Sequence, residues 1–210
     1  GYAIVGTVSG TSISFGSAAE FENAVISDPA ITFDSSNNKV VIAYRDEGNS
    51  NYGTAIVGTV SGTSISYGSA AVYESANASE TAITFDSSNN KVVIAYNDGG
   101  NSDYGTAIVG TVSSTSISFG SAAVFESAST SNITATFDSS NNKVFIGYRD
   151  EGNSNYGTSI IGTVSGTSIS FGSPVVFNSY QVVALGATFD SNVNKVILVF
   201  LDYTLIGSGI

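Results

Sequence analysis

The chain repeats itself every 52 residues, and no other feature limits its possible folds as strongly. The string GTAIVGTVSGTSISYGSAA beginning at Gly53 returns as GTAIVGTVSSTSISFGSAA at Gly105, with two changes in 19 positions. FDSSNNKV stands at Phe33, Phe85 and Phe137, and FDSNVNKV at Phe189. Val8, Val60, Val112 and Val164 correspond in the same way. Four periods fill 208 of the 210 residues. Even the six positive charges keep register: Lys39, Lys91, Lys143 and Lys195 match, and so do Arg45 and Arg149. A basic site assembled for a partner is not expected from that pattern.

One period reads as four strands. Strand a is AITFD (Ala82–Asp86), followed by an SSNN turn and strand b, KVVIAY (Lys91–Tyr96). After DGGNSDYG comes strand c, TAIVGTV (Thr106–Val112), then an SST turn and strand d, SISFGSAAVFE (Ser116–Glu126), with a bulge expected at Gly120-Ser121. β-Branched, aromatic and small residues fill these runs, Gly, Asn, Asp and Ser break them, and no 3.6-residue apolar period appears. The runs are almost continuously apolar, which suits sheets covered on both faces. A lone four-stranded sheet cannot bury both faces, so the copies must stack.

Four-stranded units of this length stacked about an axis describe a β-propeller. The expected fold is all-β: a four-bladed propeller forming a single domain over 1–210. Its blades are expected at 31–73, 83–125 and 135–177, with a closing blade from 187–210 plus 1–21. The chain begins on strands c and d and ends on strands a and b, so a two-plus-two clasp would remove the exposed edge of a linear array. A β-solenoid is the structural rival, but its coils take about 20–30 residues, and half the period shows no self-similarity. Open-ended stacking and a larger ring are the remaining arrangements.

The repeat FDSSNNKVVIAYRDEGNSNYGTAIVGTVSGTSISYGSAAVY beginning at Phe33 resembles tandem propeller repeats of predicted tail or surface proteins in marine phages and bacteria. All four copies carry versions of it. The resemblance implies a virion, extracellular or cell-surface setting and a binding or structural role, and it brings no catalytic residues with it.

Composition removes several kinds of chemistry. Without Cys there is no disulfide scaffold, thiol nucleophile or Cys-based zinc site, and without His no Ser-His-Asp triad. A net charge of −11 argues against nucleic acid. The longest unbroken apolar run, Val196–Leu201, is too short to insert in a membrane. Absence of Met suggests an excised or processed piece of something longer, and absence of Trp removes the most effective platform for stacking on a sugar.

In a meander the a–b and c–d turns share one end of the sheet, and the b–c and d–a connections share the other. The first end carries tight structural turns, in which Asp34, Asp86, Asp138 and Asp190 are expected to accept from their own turn's amides. At the second end the b–c loops are almost constant, while the d–a segments differ in every copy: ENAVISDPA, ESANASETA, ESASTSNITA and NSYQVVALGA. Constant loops beside variable ones suit a recognition surface, and unconstrained drift would look the same.

The b–c loops supply the candidate ligand-binding residues: Arg45, Asp46, Asn49, Asn51 and Tyr52; Asn97, Asp98, Asn101, Asp103 and Tyr104; and Arg149, Asp150, Asn153, Asn155 and Tyr156. Tyrosine rings offer an apolar face to a sugar, Asp and Asn serve its hydroxyls, and repetition multiplies weak sites. The same loops loosely resemble the calcium loops of integrin-type propellers. Asp46, Asp98, Asp103 and Asp150 are thus weak calcium candidates, although D-x-x-N-x-N departs from the acidic spacing and Asx-turn bonding competes. No cofactor is otherwise expected. Tyr44, Tyr96 and Tyr148 are expected to fill the packing between blades.

An enzyme would have to work with carboxylates alone. Asp46/Glu47 or Asp150/Glu151, with Arg45 and Arg149 nearby, would be the pairs of a glycosidase- or sialidase-like site. No S-x-D-x-G-x-x-W string is present, and near-duplicate copies do not make one asymmetric site. The last copy departs from the others as KVILVFLDYTLIGSGI, which puts Leu201, Tyr203, Leu205 and Ile206 near the expected seam or a docking patch. The sequence therefore predicts a non-enzymatic structural or recognition module, monomeric in isolation, with a surface glycan or structural protein as partner.

Overall fold

The computed structural model describes residues 1–203, and its strands follow the 52-residue period. The N-terminal half-unit contributes β1 (Tyr2–Ala3), β2 (Gly6–Ser9), β3 (Ser12–Phe15) and β4 (Ala19–Glu20). The first full unit has β5 (Ile26–Asp34), β6 (Lys39–Asp46), β7 (Tyr52–Ser61) and β8 (Ser64–Tyr67). The second has β9 (Ala71–Asp86), β10 (Lys91–Asp98), β11 (Tyr104–Ser113) and β12 (Ser116–Phe119). In the third come β13 (Ala123–Asp138), β14 (Lys143–Asp150), β15 (Tyr156–Ser165) and β16 (Ser168–Phe171). The chain's last strands are β17 (Val175–Asp190) and β18 (Lys195–Asp202). The fold is all-β, every pairing is antiparallel, and no helix among the described residues is long and apolar enough to cross a membrane.

The expected turn chemistry is present. Asp34 Oδ1 accepts from the amides of Ser36 at 2.9 Å and Asn37 at 3.0 Å, and Asp86 and Asp138 repeat the arrangement. Asp190 accepts from Asn192 at 2.9 Å. Burial alone would raise the Asp34 carboxyl, but the hydrogen bonds from Ser36 and Asn37 outweigh it and hold the carboxyl below its ordinary value. Strand d also carries its bulge. Phe119 pairs with Gly110 and Ala123 with Ala107, so four steps on one strand meet three on the other.

Two expectations need correction. Three of the four variable d–a segments are not loops, and the first is strand only from Ile26 on. Strand d runs straight into the next strand a, so β9, β13 and β17 are each 16 residues long and pair with two different neighbours. β9, for example, lies on β7 with its first half and on β10 with its second. Just past the change of partner each segment slips register against the following strand b, and the slip carries one residue with positive φ, namely Asp28, Glu80, Asn132 or Ala184 in successive copies. These four positions stack on one another. Glu80 N–H donates to Asp28 at 3.4 Å, Asn132 N–H to Glu80 at 2.8 Å, and Ala184 N–H to Asn132 at 2.6 Å. Each step spans 52 residues, so the segments hold neighbouring units together instead of hanging free.

The closing clasp is the second correction. One antiparallel path runs from β18 back to β5, and β18 pairs with β17 alone. The N-terminal strands pair among themselves, β1 with β4 and β2 with β3. The closing blade of 187–210 with 1–21 is therefore not assembled by the described strands, and Leu205 and Ile206 lie outside the described residues. The burial agrees with the open arrangement. Ile31 and Phe33 at one end are 60% and 55% exposed, and Val199 at the other is 66% exposed.

Between those ends the core lies between units, not within them. On β10, Val92, Ile94 and Tyr96 face the preceding unit and meet Val41, Ala43, Ala55 and Val57. Val93 and Ala95, pointing the other way, meet Val144, Ile146 and Tyr148 of the next unit. The alternation of a strand thus buries both faces of each sheet, as continuously apolar strands require.

Candidate functional site

The b–c turns sit where a finished unit hands over to the next, and their residues are held by that junction. Each turn is a short 3-10 segment capped by the preceding Asp. Asp46 accepts from Asn49 N–H at 3.1 Å, Asp98 from Gly100 N–H at 3.0 Å, and Asp150 from Asn153 N–H at 3.0 Å. All three are buried. Ser50 and Asn51 then adopt positive φ, as do Ser102 and Asp103 and Ser154 and Asn155. This reversal turns the Asn51 carbonyl toward Ala78 N–H, Asp103's toward Thr130 N–H and Asn155's toward Val182 N–H, at 3.1–3.2 Å. The constant loop is thereby a clamp on the next long strand.

Side chains divide accordingly. Asn49, Asn51, Asn101, Asp103 and Asn153 are exposed, while Tyr52, Tyr104, Tyr156 and Asn155 are half-buried at the same edge. Asn97 is buried and donates to the carbonyls of Asp103 at 2.9 Å and Thr130 at 2.8 Å. Arg45 donates to Ser27 at 2.7 Å and lies 3.9 Å from Asp28 and 3.6 Å from Glu47. Arg149 pairs with Glu151 at 2.6 Å, and that contact, with a hydrogen bond from Ser131, holds the Glu151 carboxyl low. Both arginines are thus occupied by carboxylates of their own edge. No three acidic side chains among the described residues converge as a metal-holding group, and the capping oxygens of Asp46, Asp98 and Asp150 already accept amides.

Inward of the turns lies a cluster that the sequence reading missed. Tyr96 donates to Glu74 and Tyr148 to Glu126, each at 3.1 Å, and Tyr44 donates to Glu22 at 3.4 Å. Burial pushes Glu74 and Glu126 up, the charges of Asp98 and Asp150 add to this, and the tyrosine hydrogen bonds offset only part. Asp98 and Asp150 are raised by burial too. The three tyrosine hydroxyls are driven above the ordinary phenol range, mostly by burial, with the neighbouring glutamate charges adding to it. Their rings do what was expected of them. Phe125 of one unit lies 5.2 Å from Tyr148 and 5.8 Å from Phe171 of the next, and Tyr73 meets Tyr96 and Phe119 in the same way. A signal for the pairing was present in the chain. In the last copy Phe200 replaces the tyrosine and Asn178 the glutamate, so the two partners change together.

No known family and no curated protein matches this chain.

The raised carboxyls give a test. A carboxyl whose folded pKa exceeds its unfolded value binds its proton better in the folded state, so its ionisation opposes folding at neutral pH. That penalty is lost as pH falls through the folded pKa. Glu126→Gln keeps an oxygen for the Tyr148 hydroxyl and removes the repulsion from Asp150. It is expected to raise Tm at neutral pH by roughly 1–3 °C and to leave it unchanged in mild acid. A lower Tm at neutral pH would show the Tyr148 bond to a carboxylate to be the larger effect.

Proposed function

We propose that the chain is a non-enzymatic structural and recognition module of a virion or cell surface, engaging a surface glycan through the edge that carries the b–c turns. What carries this reading is the presentation of three equivalent turns, each with exposed Asn side chains beside a half-buried tyrosine, along one edge of a rigid stack. Weak equivalent sites held at a fixed spacing suit a surface on which the ligand also repeats. Tyr52, Tyr104 and Tyr156 would offer ring faces to sugar C–H groups, with Asn49, Asn101 and Asn153 serving hydroxyls. The units themselves we read as propeller-type blades in an open array. A closed four-bladed ring would need Val196–Leu201 to pair with the first six residues of the same chain.

A glycan array on the full chain, run with calcium and again with EGTA, tests this. Binding to one glycan class, lost when Tyr52, Tyr104 and Tyr156 are all replaced by Ala in a chain that still melts cooperatively, is the expected result. A blank array in both buffers would remove the glycan and leave a purely structural role. Binding abolished by EGTA would transfer the loop Asp and Asn side chains from turn-making to a calcium site.

A further inference from the structure

The sequence contains one Asp–Pro bond, Asp28–Pro29, and it falls on the register slip of the first unit. On β5, Ser27 pairs with Arg45 and Ala30 with Ala43, so the two residues of the bond lie between rungs of the ladder. Asp28 stands at φ 51. A residue before proline is ordinarily extended with negative φ, because the pyrrolidine ring crowds its backbone. Here the fold imposes the conformation. Glu80, Asn132 and Ala184 hold the same place at φ 55, 51 and 53, and an alanine has no side-chain group to favour it. The corresponding pairs are Glu80-Thr81, Asn132-Ile133 and Ala184-Leu185. Only the first unit thus sets a β-carboxyl on the constrained residue and a proline after it.

The Asp28 side chain is held beside its own backbone. Its Oδ2 accepts from Glu80 N–H at 3.4 Å and lies 3.9 Å from the Arg45 guanidinium. Arg45 is itself anchored on Ser27 at 2.7 Å, within the same slip. The charged and titratable groups that face Asp28 are therefore Arg45 of β6, with Glu47 3.6 Å beyond it, and Glu80 and Tyr73 of β9. Glu80 directs its own carboxyl to the following unit, where it accepts from Asn132 N–H at 2.8 Å, and the Tyr73 hydroxyl is paired with Thr81 at 3.1 Å. Both contacts of Asp28 engage Oδ2. Oδ1 is the oxygen that can close a five-membered ring on the carbonyl carbon of the same residue.

We propose that the folded chain cuts itself at the Asp28–Pro29 bond in mild acid, with Asp28 as the intramolecular nucleophile. Carboxyl oxygen Oδ1 attacks the Asp28 carbonyl carbon, and the carboxyl proton passes to the Pro29 nitrogen. The C–N bond then breaks, leaving a cyclic anhydride on Asp28 and a secondary amine on Pro29. Water opens the anhydride to two carboxyl groups, so the net reaction is hydrolysis of one peptide bond. The protonated carboxyl brings both the nucleophile and the proton that the leaving nitrogen needs, which places the reaction in acid. Attack within one residue needs no encounter. Breaking the bond also frees Asp28 from its positive φ, so strain held before the reaction lowers the barrier. The two pieces stay together, because Ile26 and Ser27 remain paired with Asp46 and Arg45, and Ala30–Asp34 with the rest of β6. The proposal stands apart from the glycan reading and survives a blank array.

Incubation of the full chain in mild acid, sampled over days by mass spectrometry under denaturing conditions, tests it. The expected result is a single cut, giving one piece that ends at Asp28 and one that begins at Pro29, which still elute together without denaturant. The folded chain should be cut about ten times faster than the same chain unfolded in urea at the same pH, the difference that relief of one left-handed residue supplies. Asp28→Glu and Pro29→Thr install the residues that the second unit already carries at this place. Each is expected to slow the cut by about tenfold or more, the first because its ring has six members, the second because its nitrogen belongs to an ordinary secondary amide. A cut as fast in urea as in the folded chain overturns the proposal, since it would belong to the dipeptide and not to the fold. An uncut chain, or Asp28→Glu cut at the wild-type rate, overturns it too. Circular dichroism in the same buffer follows the fold, and a chain that unfolds before it is cut counts equally against the proposal.

Discussion

Gly120→Ala is expected to lower stability by about 1–3 kcal/mol, seen as a fall in Tm of roughly 3–10 °C, while Gly172→Ala in dilute solution leaves stability unchanged or slightly higher. The two glycines occupy one repeat position, and both follow the last residue of a strand d segment. Their surroundings differ. A methyl group on Gly120 would fall on the Thr167 carbonyl, a backbone atom in the tight turn between β15 and β16 that cannot rotate aside. Either that turn or the bulge before β13 must move, and the interface between the second and third units opens with it. At Gly172 there is room for the methyl, so what remains is the modest gain from restricting the unfolded chain. Urea unfolding of the two variants beside wild type makes the comparison. Equal losses at both positions would mean that Gly172 faces a neighbour and the array is closed on itself.

This contrast also marks what was legible in the sequence. The period, the strand content, the Asp-capped turns and the bulge could be read because each has a local cause: β-branched runs, DSSNNK, Gly-Ser at a fixed offset. The path of the d–a segments could not. Their residues are mixed in polarity, and the positive-φ residue at each register slip is Asp, Glu, Asn and Ala in successive copies, so no shared residue type announces it. Glu80 and Ala184 take that conformation because the neighbouring copy's strand holds them there, a cause outside any one segment. Closure was illegible for a related reason. Complementary ends are written in the sequence, but whether they meet depends on a small rotation repeated at every interface, which no single residue sets.

The candidate site followed the same division. Asp46, Asp98 and Asp150 were found by their spacing, and the Asx chemistry weighed against calcium is what they perform. The glutamates beneath them escaped notice because Glu74 and Glu126 open segments that read as variable loops. Only the packing brings each to the tyrosine 22 residues further on.

Ala95→Asp should be the most damaging of the substitutions considered, and Val199→Asp, at the equivalent position two repeats on, nearly silent in a folding assay. Ala95 is fully buried among Ala107, Val109, Val144 and Ile146. A carboxylate there has no partner on either sheet, and leaving a buried charge uncompensated costs about 3–5 kcal/mol, a large part of a domain's total stability. Cooperative melting should be lost or strongly depressed at neutral pH. Burial would raise the new carboxyl's folded pKa above its unfolded value, so the penalty applies above the folded pKa and diminishes as pH falls through it. Partial recovery of Tm in mild acid is therefore part of the expectation, and its absence would point to a steric fault rather than a charge. Val199, 66% exposed, loses little by becoming charged, with a change within about 0.5 kcal/mol. Should Val199→Asp instead melt far below wild type in dilute solution, that face must already be covered within one chain. A stack whose middle is intolerant and whose outer strand is permissive has its stability in the interfaces between units.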